Sequence, residues 1–224
     1  MKARKILAMV MALALTAALA VGGTLAYLTS TKTVTNTFTV GNVQIKLDEA
    51  KVDDNGKALV SGERVEGVAA DATTKAGNGY HLLPGHTYDK DPMVTVLSGS
   101  ESSYVKMTVT FTKAAELDAI FAPNGGADLT SIFNGYSSAN WIAKGNTKDT
   151  EKNTRTYEFW YKETVAAPTA DVALDALFDS ITVPGTITNA QLDTIKGMTI
   201  TVNAYAIQAD GFANAEAAWA AYAN

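Results

Sequence analysis

A pattern with a period of two runs through residues 28–40, which read LTSTKTVTNTFTV. Threonine occupies every odd position from Thr29 to Thr39. A period of two places alternate side chains on opposite faces of a strand, and the β-branched threonine favours that conformation. The pattern therefore predicts a long strand with one threonine face and one half-apolar face. The apolar members of the second face are Leu28, Val34, Phe38 and Val40.

The same alternation predicts further strands along the rest of the chain. It is clearest in Tyr104–Phe111, where the odd positions are apolar and the even ones are polar apart from Tyr104. Asp53-Asp54-Asn55-Gly56 predicts a tight hairpin, because Asn-Gly favours the turn that joins two strands. Residues 62–79 and 124–140 are rich in small and polar residues and predict loops. Strands are predicted at 43–47, 93–97, 104–111, 155–162 and 198–206.

Helical spacing is found between and after these strands. Residues 114–122, 170–181, 189–197 and 213–223 are predicted to be helical. Asn189 is a suitable N-cap, and Gly197 is a suitable glycine at the end of that helix. Several strands with Gly and Asn turns, together with peripheral helices, predict a mainly β fold, an antiparallel β-sandwich with helical insertions.

The first 26 residues have the pattern of an export signal. A basic start (Lys2, Arg4 and Lys5) precedes the uncharged, mostly apolar run Ile6–Gly23. Thr24, Leu25 and Ala26 then offer small residues at the −3 and −1 positions of a signal peptidase site. An uncleaved membrane anchor is the alternative, since the apolar run would span roughly 27 Å as a helix. We therefore expect residues 1–26 to be a signal peptide, 27–41 an N-terminal strand and 42–224 a single β-sandwich domain.

Charge and composition narrow the range of possible functions. The chain has 18 basic and 23 acidic residues, and removal of residues 1–26 would leave 15 basic and 23 acidic ones, a net charge of −8. An acidic chain with scattered lysines and arginines predicts no binding to nucleic acid. The chain has no cysteine, which excludes disulfides and thiolate metal sites. We expect contact with a membrane only through an uncleaved leader.

Several of these segments together resemble the TasA/camelysin family. The first is Gly22–Glu49, with Gly22-Gly23-Thr24, Ala26, the stretch Asn36-Thr37-Phe38-Thr39 and Gly41 before an alternating strand. The second is Leu82–Phe111, which carries Pro-Gly, Lys-Asp-Pro and Tyr-Val elements. The third is the ending AYAIQADGF with an alanine-rich tail. Residues 112–190 take no part in the resemblance.

The resemblance implies a jelly-roll-like sandwich secreted by a Gram-positive bacterium, after cleavage by a SipW-type signal peptidase. It implies a structural role at the cell surface or in the biofilm matrix, in extracellular fibres and with accessory matrix subunits in some cases. Members of this type polymerise by donating the freed N-terminal strand to the next subunit. Here that strand would be residues 28–40, with Leu28, Val34, Phe38 and Val40 as its assembly residues. Pairing of this strand within its own chain is the alternative.

Two other functions stay open on the sequence alone. The chain could be a monomeric surface adhesin that binds through residues 124–140 or around Trp141. A camelysin-like metallopeptidase is the second, but the two histidines, His81 and His86, form no H-E-x-x-H motif. The aromatic run Tyr157, Phe159, Trp160 and Tyr161 favours core and cross-strand packing over a carbohydrate platform. We therefore expect a non-enzymatic protein with no catalytic residues, no metal and no cofactor.

Overall fold

The computed structural model describes residues 41–68, 76–121 and 133–222, all of which belong to one compact unit, Gly41–Asn224. The predicted signal peptide and the predicted N-terminal strand lie outside the described residues.

The described residues form eleven strands and three short helices. The strands are β1 (Ile45–Ala50), β2 (Arg64–Glu66), β3 (Thr87–Asp89), β4 (Met93–Val96), β5 (Ser103–Thr112), β6 (Phe133–Asn134), β7 (Trp141–Asp149), β8 (Thr154–Tyr161), β9 (Val172–Ala173), β10 (Ser180–Thr182) and β11 (Ile200–Gln208). The helices are α1 (Ala114–Phe121), α2 (Asn189–Ile195) and α3 (Ala215–Tyr222). The predicted mainly β class, with short peripheral helices and a helix near the C-terminus, is confirmed.

The strands form three antiparallel sheets. The largest has the order β11-β5-β8-β7, the second β2-β1-β4-β9, and the third β3-β10-β6. In the large sheet the odd residues of β5 are buried and the even ones are half-buried, as the alternation predicted. Val109 of β5 lies opposite Val202 on one side and Tyr157 on the other, so the apolar rows of three strands meet on one face.

The three sheets contribute to one apolar core. Val94 from the second sheet, Phe133 from the third and Met107 from the large sheet belong to the same buried cluster. Phe133 stacks on Phe178, with ring centroids 3.9 Å apart, and also packs near Phe111 at 5.6 Å. Burial of apolar faces from separate sheets against each other is the arrangement that a sandwich requires.

Three of the four helices predicted from the sequence are present in the structure. Helix α2 begins one residue earlier than expected, because Thr188 is the N-cap and forms a capping box with Gln191. Gly197, at φ +74°, follows it in the left-handed region that glycine tolerates. Helix α1 is held to the large sheet through Asp118, which accepts hydrogen bonds from Arg155 (2.7 Å) and Lys148 (2.8 Å).

Residues 170–181 are not helical, and this prediction is wrong. The segment is extended and contributes β9 and β10 to two different sheets. Its backbone hydrogen bonds run to other strands, from Leu174 N–H to Val94 and from Leu177 N–H to Pro92 (2.8 and 3.0 Å). The buried residues Leu174, Leu177 and Phe178 have helical spacing because bends in an extended chain turn all of them to the core.

Besides β9 and β10, the sequence missed four strands, β2, β3, β6 and β7. Strand β7 forms a hairpin with β8 but is exposed and polar after Trp141, so it lacks an alternating pattern. Strand β2, three residues long, lies in the predicted loop 62–79 and pairs with β1. Short or solvated edge strands bury little apolar surface and leave little periodicity in the sequence.

Candidate functional site

The residues assigned to export and assembly lie outside the described residues. They are Thr24, Leu25, Ala26, Leu28, Val34, Phe38 and Val40. The structure does describe the point at which they join the compact unit. Backbone carbonyls of Asn42 and Gln44 accept hydrogen bonds from Glu101 and Leu97 (2.8 and 2.9 Å), so the chain enters at the connection between β4 and β5.

Strand β11 is one margin of the large sheet. Among the described residues it pairs with β5 alone, over nine consecutive positions without a bulge. It carries no charged residue and no proline. Its inward side chains lie opposite fully buried β5 residues but are themselves only half-buried. They are Ile200, Val202, Ala204 and Ala206.

The direction of the backbone groups of β11 follows from two hydrogen bonds at its ends. Thr199 accepts from Thr112 N–H (3.1 Å), and Ala209 donates to Ser102 (2.7 Å). In an antiparallel pair, hydrogen-bonded and non-hydrogen-bonded positions alternate. Odd positions of β11 therefore bond β5, and the even positions point their N–H and C=O groups away from it. A nine-residue uncharged row of this kind is a template for another strand.

The opposite margin of the large sheet, β7, is protected. The Trp141 N–H donates to Ser137 (2.9 Å), and the Trp141 carbonyl accepts from the Tyr136 hydroxyl (2.8 Å). Beyond this point a register shift between Ala143 and Gly145 breaks the ladder, with Gly145 at φ +112°. Lys144 and Lys148 flank it on an exposed strand. Bulges and lysines are two means by which edge strands avoid pairing with another chain.

Helix α3 covers part of the outer face of the large sheet. The Lys106 ammonium lies 4.6 Å from the Trp219 ring centroid, 5.6 Å from that of Tyr205 and 5.5 Å from that of Tyr222. It also lies 3.6 Å from Glu158. An ammonium over aromatic faces is attracted by the ring quadrupole. The chain's own lysine thus occupies this aromatic cluster.

The aromatic run of β8 serves packing, as expected. Tyr157 and Phe159 are buried, Trp160 packs near Trp219 at 6.3 Å, and Tyr161 meets Trp141 edge-on at 5.1 Å. Trp141 is 1% exposed, and its indole N–H donates to the Asp175 carbonyl (3.0 Å). The proposed contact of a ligand with Trp141 is therefore wrong, because that side chain belongs to the core.

The stretch Asp89-Lys90-Asp91-Pro92 ties the hairpin at residues 51–64 to the second sheet. Asp89 accepts from Lys57 Nζ (3.0 Å) and the Ala58 N–H (2.9 Å), and the buried Lys90 pairs with Glu49. Asp91 accepts from the Ala50 N–H (2.6 Å) and from Arg64 (2.8 Å). Both carboxylates thus accept hydrogen bonds from donors within the chain.

Further contacts hold the turn of this hairpin in place. The Asp53 carboxylate accepts from the Lys57 N–H (2.8 Å), which lowers the pKa of Asp53. Gly56 has φ +73°, and a Cβ there would collide with the ring of Tyr88. The Tyr88 hydroxyl donates in turn to the His81 carbonyl (2.7 Å). The Asn-Gly signal therefore marks a turn closed against the core.

The described histidines and carboxylates do not fit a catalytic metal site. His81 and His86 are both exposed, and Asp89 at the end of β3 and Asp91 just after it are held by the donors described above. In the part of the chain that the structure describes, no three His, Asp or Glu side chains come together as a metal-binding group. We derive no chemical step through a metal.

Two residues that join separate elements of the fold were not predicted from the sequence. Arg64 joins Asp48 to Asp91, although it lies in a predicted loop. Lys106 lies on the polar face of the predicted strand 104–111, and helix α3 covers it. The alternation of β5 placed Lys106 correctly on the outer face, but only the packing of a distant helix decides what lies there.

The fold defines a mainly β protein of antiparallel sheets. Residues 2–66 match the family described as camelysin metallo-endopeptidase, which confirms the resemblance of this part to the TasA/camelysin family, a family of secreted type. The match covers less than a third of the chain. Searches of the curated proteins and of the solved structures gave no significant match. Among the described residues, no helix is long and apolar enough to cross a membrane.

Proposed function

We propose that this protein is a secreted structural component of the cell surface or biofilm matrix, and that it polymerises into fibres through its N-terminal strand. After removal of residues 1–26 by a SipW-type signal peptidase, residues 28–40 of one subunit would pair with the sheet of the next. A head-to-tail contact of this kind does not close on itself, so it propagates as a filament.

The observation that carries the proposal is the uncharged, unbulged margin of the large sheet at β11. A monomer with such an edge exposes unpaired backbone groups and half-buried apolar side chains. The opposite margin carries a bulge, two lysines and a covering turn. In the part of the chain that the structure describes, one long edge is protected and the other is uncharged, which supports pairing at the second. The family match at residues 2–66 supports the same reading, since it covers residues 28–40.

Cleavage of the leader would start assembly. While residues 1–26 remain attached, the apolar run would hold the strand at the membrane and limit its access to a neighbour. We expect a variant with the cleavage site blocked at Ala26 to be exported without forming fibres. Fibres from the blocked variant would contradict this trigger, though not strand donation itself.

We propose no catalytic role, despite the peptidase name of the matching family. Among the described residues, the exposed histidines and the internally paired carboxylates near them supply no site for the activation of water. The direct check is casein hydrolysis with added zinc, by the chain beginning at Tyr27 and by its His81→Ala/His86→Ala variant. Equal background rates are expected, and loss of a measurable rate in the variant would restore the peptidase hypothesis.

The test of polymerisation compares the chain that begins at Tyr27 with one that begins at Gly41, the start of the compact unit. Both are incubated under the same conditions and examined by negative-stain microscopy and sedimentation velocity. We expect fibres from the longer chain and monomers from the shorter, with similar thermal unfolding. Monomers from both would reject the proposal and favour a monomeric adhesin. Monomers from both with a lower melting temperature for the shorter chain would indicate that the strand pairs within its own chain.

A further inference from the structure

We infer that the acceptor for residues 28–40 is the margin of β11 that faces away from β5, in a second copy of the chain, and that the added strand runs antiparallel to β11. The inference rests on the proposed function and specifies the surface that performs it. Three independent features lead to it: the direction of the backbone groups, the match between the faces, and the position of Gly41.

The backbone of β11 presents its hydrogen-bonding groups to this margin at regular intervals. Because Thr199 and Ala209 bond β5, the even residues from Ile200 to Gln208 direct their N–H and C=O groups outward. The unbroken register means that the spacing is constant along the strand. A donor without a bulge could satisfy all five positions at once.

Residues 34–40 match the Ile200–Ala204 part of β11 on both faces, whereas Tyr205 farther along the outward face packs against Tyr222 of helix α3. The inward face of β11 is apolar and half-buried at Ile200, Val202 and Ala204, and an added strand with Val34, Phe38 and Val40 on that side would cover it. The outward face carries Thr201 and Asn203, with further threonines on the neighbouring strands. These neighbours include Thr110 and Thr156, whose hydroxyls lie 2.9 Å apart.

The odd-numbered threonines of residues 28–40 would extend this outer threonine surface by one more strand. Side chains on adjacent strands that lie opposite each other share a face of the sheet. The unusual threonine row thus has a counterpart in the sheet that would receive it. A shift of one residue would turn the threonines into the core and the apolar row into water, so this match also selects the register.

The position of Gly41 favours an added strand that comes from a second copy over one that comes from the same chain. Asn42 is bonded to Glu101, and the next residue along, Ser102, is bonded to Ala209. A strand that leads directly into Gly41 would therefore approach its own β11 at the Gln208 end and run parallel to it. Antiparallel addition in the same chain would require the end of residues 28–40 to lie at Ile200, about 27 Å away. Every described pair in the large sheet is antiparallel, the more stable arrangement, and only another copy can supply it directly.

The absence of natural cysteine allows a direct test by crosslinking. One population of the chain beginning at Tyr27 carries Thr33→Cys, Thr35→Cys or Thr37→Cys; a second carries Asn203→Cys on the outward face of β11. The matched control carries Thr147→Cys, on the same face at the β7 margin. A disulfide requires the two Cα atoms to lie within about 7 Å. After mixing, assembly and mild oxidation, we expect crosslinks to position 203 from one donor position and none to position 147.

A second measurement removes one outward N–H group. Ala204→Pro leaves the bonds to β5 in place, because Ala204 is an even position, whereas Ala204→Ser keeps the N–H and nearly the same size. We expect Ala204→Pro to weaken assembly about tenfold and Ala204→Ser to assemble as the parent does. Circular dichroism tests whether both variants are folded. If Ala204→Pro is unfolded, the crosslinking result alone decides whether β11 is the acceptor.

The outcomes separate this inference from the proposed function. Fibres whose crosslinks form at position 147, or that Ala204→Pro leaves unchanged, would overturn β11 as the acceptor and leave polymerisation intact. A crosslink confined to one chain in a Thr35→Cys/Asn203→Cys double variant would overturn the second copy as the source. No fibres from the parent chain would reject the proposed function and this inference together.

Discussion

At the scale of single residues, buried charge is concentrated around Asp48, whose side chain is 3% exposed. Arg64 pairs with Asp48 and with Asp91, and Lys46 adds a contact to Asp48 at 3.0 Å. A buried carboxylate contributes little net stability when paired but is costly when its partner is removed. The network therefore fixes where β2 and the stretch around Asp91 meet β1.

We predict that Arg64→Met destabilises the fold by about 3 kcal/mol, because it leaves Asp48 buried with Lys46 as the remaining cation. The control is Lys51→Met on the same hairpin, whose pair with Glu63 is exposed and should cost less than about 0.5 kcal/mol. Urea unfolding of both variants provides the measurement. Equal losses of stability in the two variants would show that the Asp48 network contributes no more to stability than an exposed ion pair.

Tyr80 links stability to alkaline pH. Burial, with a further contribution from the Glu49 carboxylate, raises the pKa of Tyr80 above its ordinary value of 10.0. The neutral hydroxyl donates to the Asp89 carbonyl (3.1 Å). Since the folded pKa is the higher one, its stabilisation is complete below pH 10 and is lost as the pH rises through the folded pKa.

We predict that stability falls between about pH 10 and pH 11.5, and that Tyr80→Phe falls less steeply over the same range. Denaturant unfolding at several pH values measures both slopes. The difference between the slopes isolates Tyr80 from the lysines that titrate nearby. Parallel slopes for parent and variant would mean that Tyr80 ionises equally easily in both states.

At the scale of elements, local pattern and tertiary packing disagree most at residues 170–181. The apolar spacing is that of a helix, yet the segment supplies β9 to one sheet and β10 to another. Hydrogen-bond partners on Val94 and Pro92 are remote in sequence, so no local pattern records them. In β5, by contrast, one buried and one half-buried face reproduce the alternation directly, and the strand was predicted to within a residue at each end.

We predict that Leu177→Ala destabilises the fold by about 3 kcal/mol, because Leu177 is fully buried in the segment that joins the sheets. Val172→Ala is the control in the same segment; its side chain is 38% exposed, and the cost should stay below about 1 kcal/mol. Thermal and urea unfolding measure both. A mild effect at Leu177 would show that the core closes around the missing side chain.

At the scale of the whole molecule, charge opposes the proposed assembly. With residues 1–26 removed, each subunit carries a net charge of −8, and like-charged subunits repel one another at low ionic strength. The proposed donor and acceptor strands are nearly uncharged: Lys32 is the single charged residue in residues 28–40, and β11 has none. The stability of the strand contact should therefore depend on salt concentration much less than the rate at which the subunits approach each other.

We predict that fibres grow several-fold faster at about 150 mM NaCl than at about 10 mM, since the Debye length falls from about 30 Å to about 8 Å. Light scattering during assembly follows the rate, and sedimentation at the endpoint measures the amount of fibre. Sodium sulfate at equal ionic strength controls for specific ion effects. Slower growth at the higher salt would instead indicate attraction between opposite charges at the contact.

The sequence by itself determined the features that depend on neighbouring residues: the alternation of β5, the closure of the hairpin at Asn55-Gly56 and the end of α2 at Gly197. Backbone conformation and the faces of a strand are local properties, so a window of ten residues records them. Only the tertiary structure decided which strand became a margin, that β7 is protected while β11 pairs with β5 alone among the described residues, and that Trp141 is buried while Lys106 lies under a helix. These properties depend on contacts between segments that are far apart in the chain, and no periodicity within one segment encodes its neighbours.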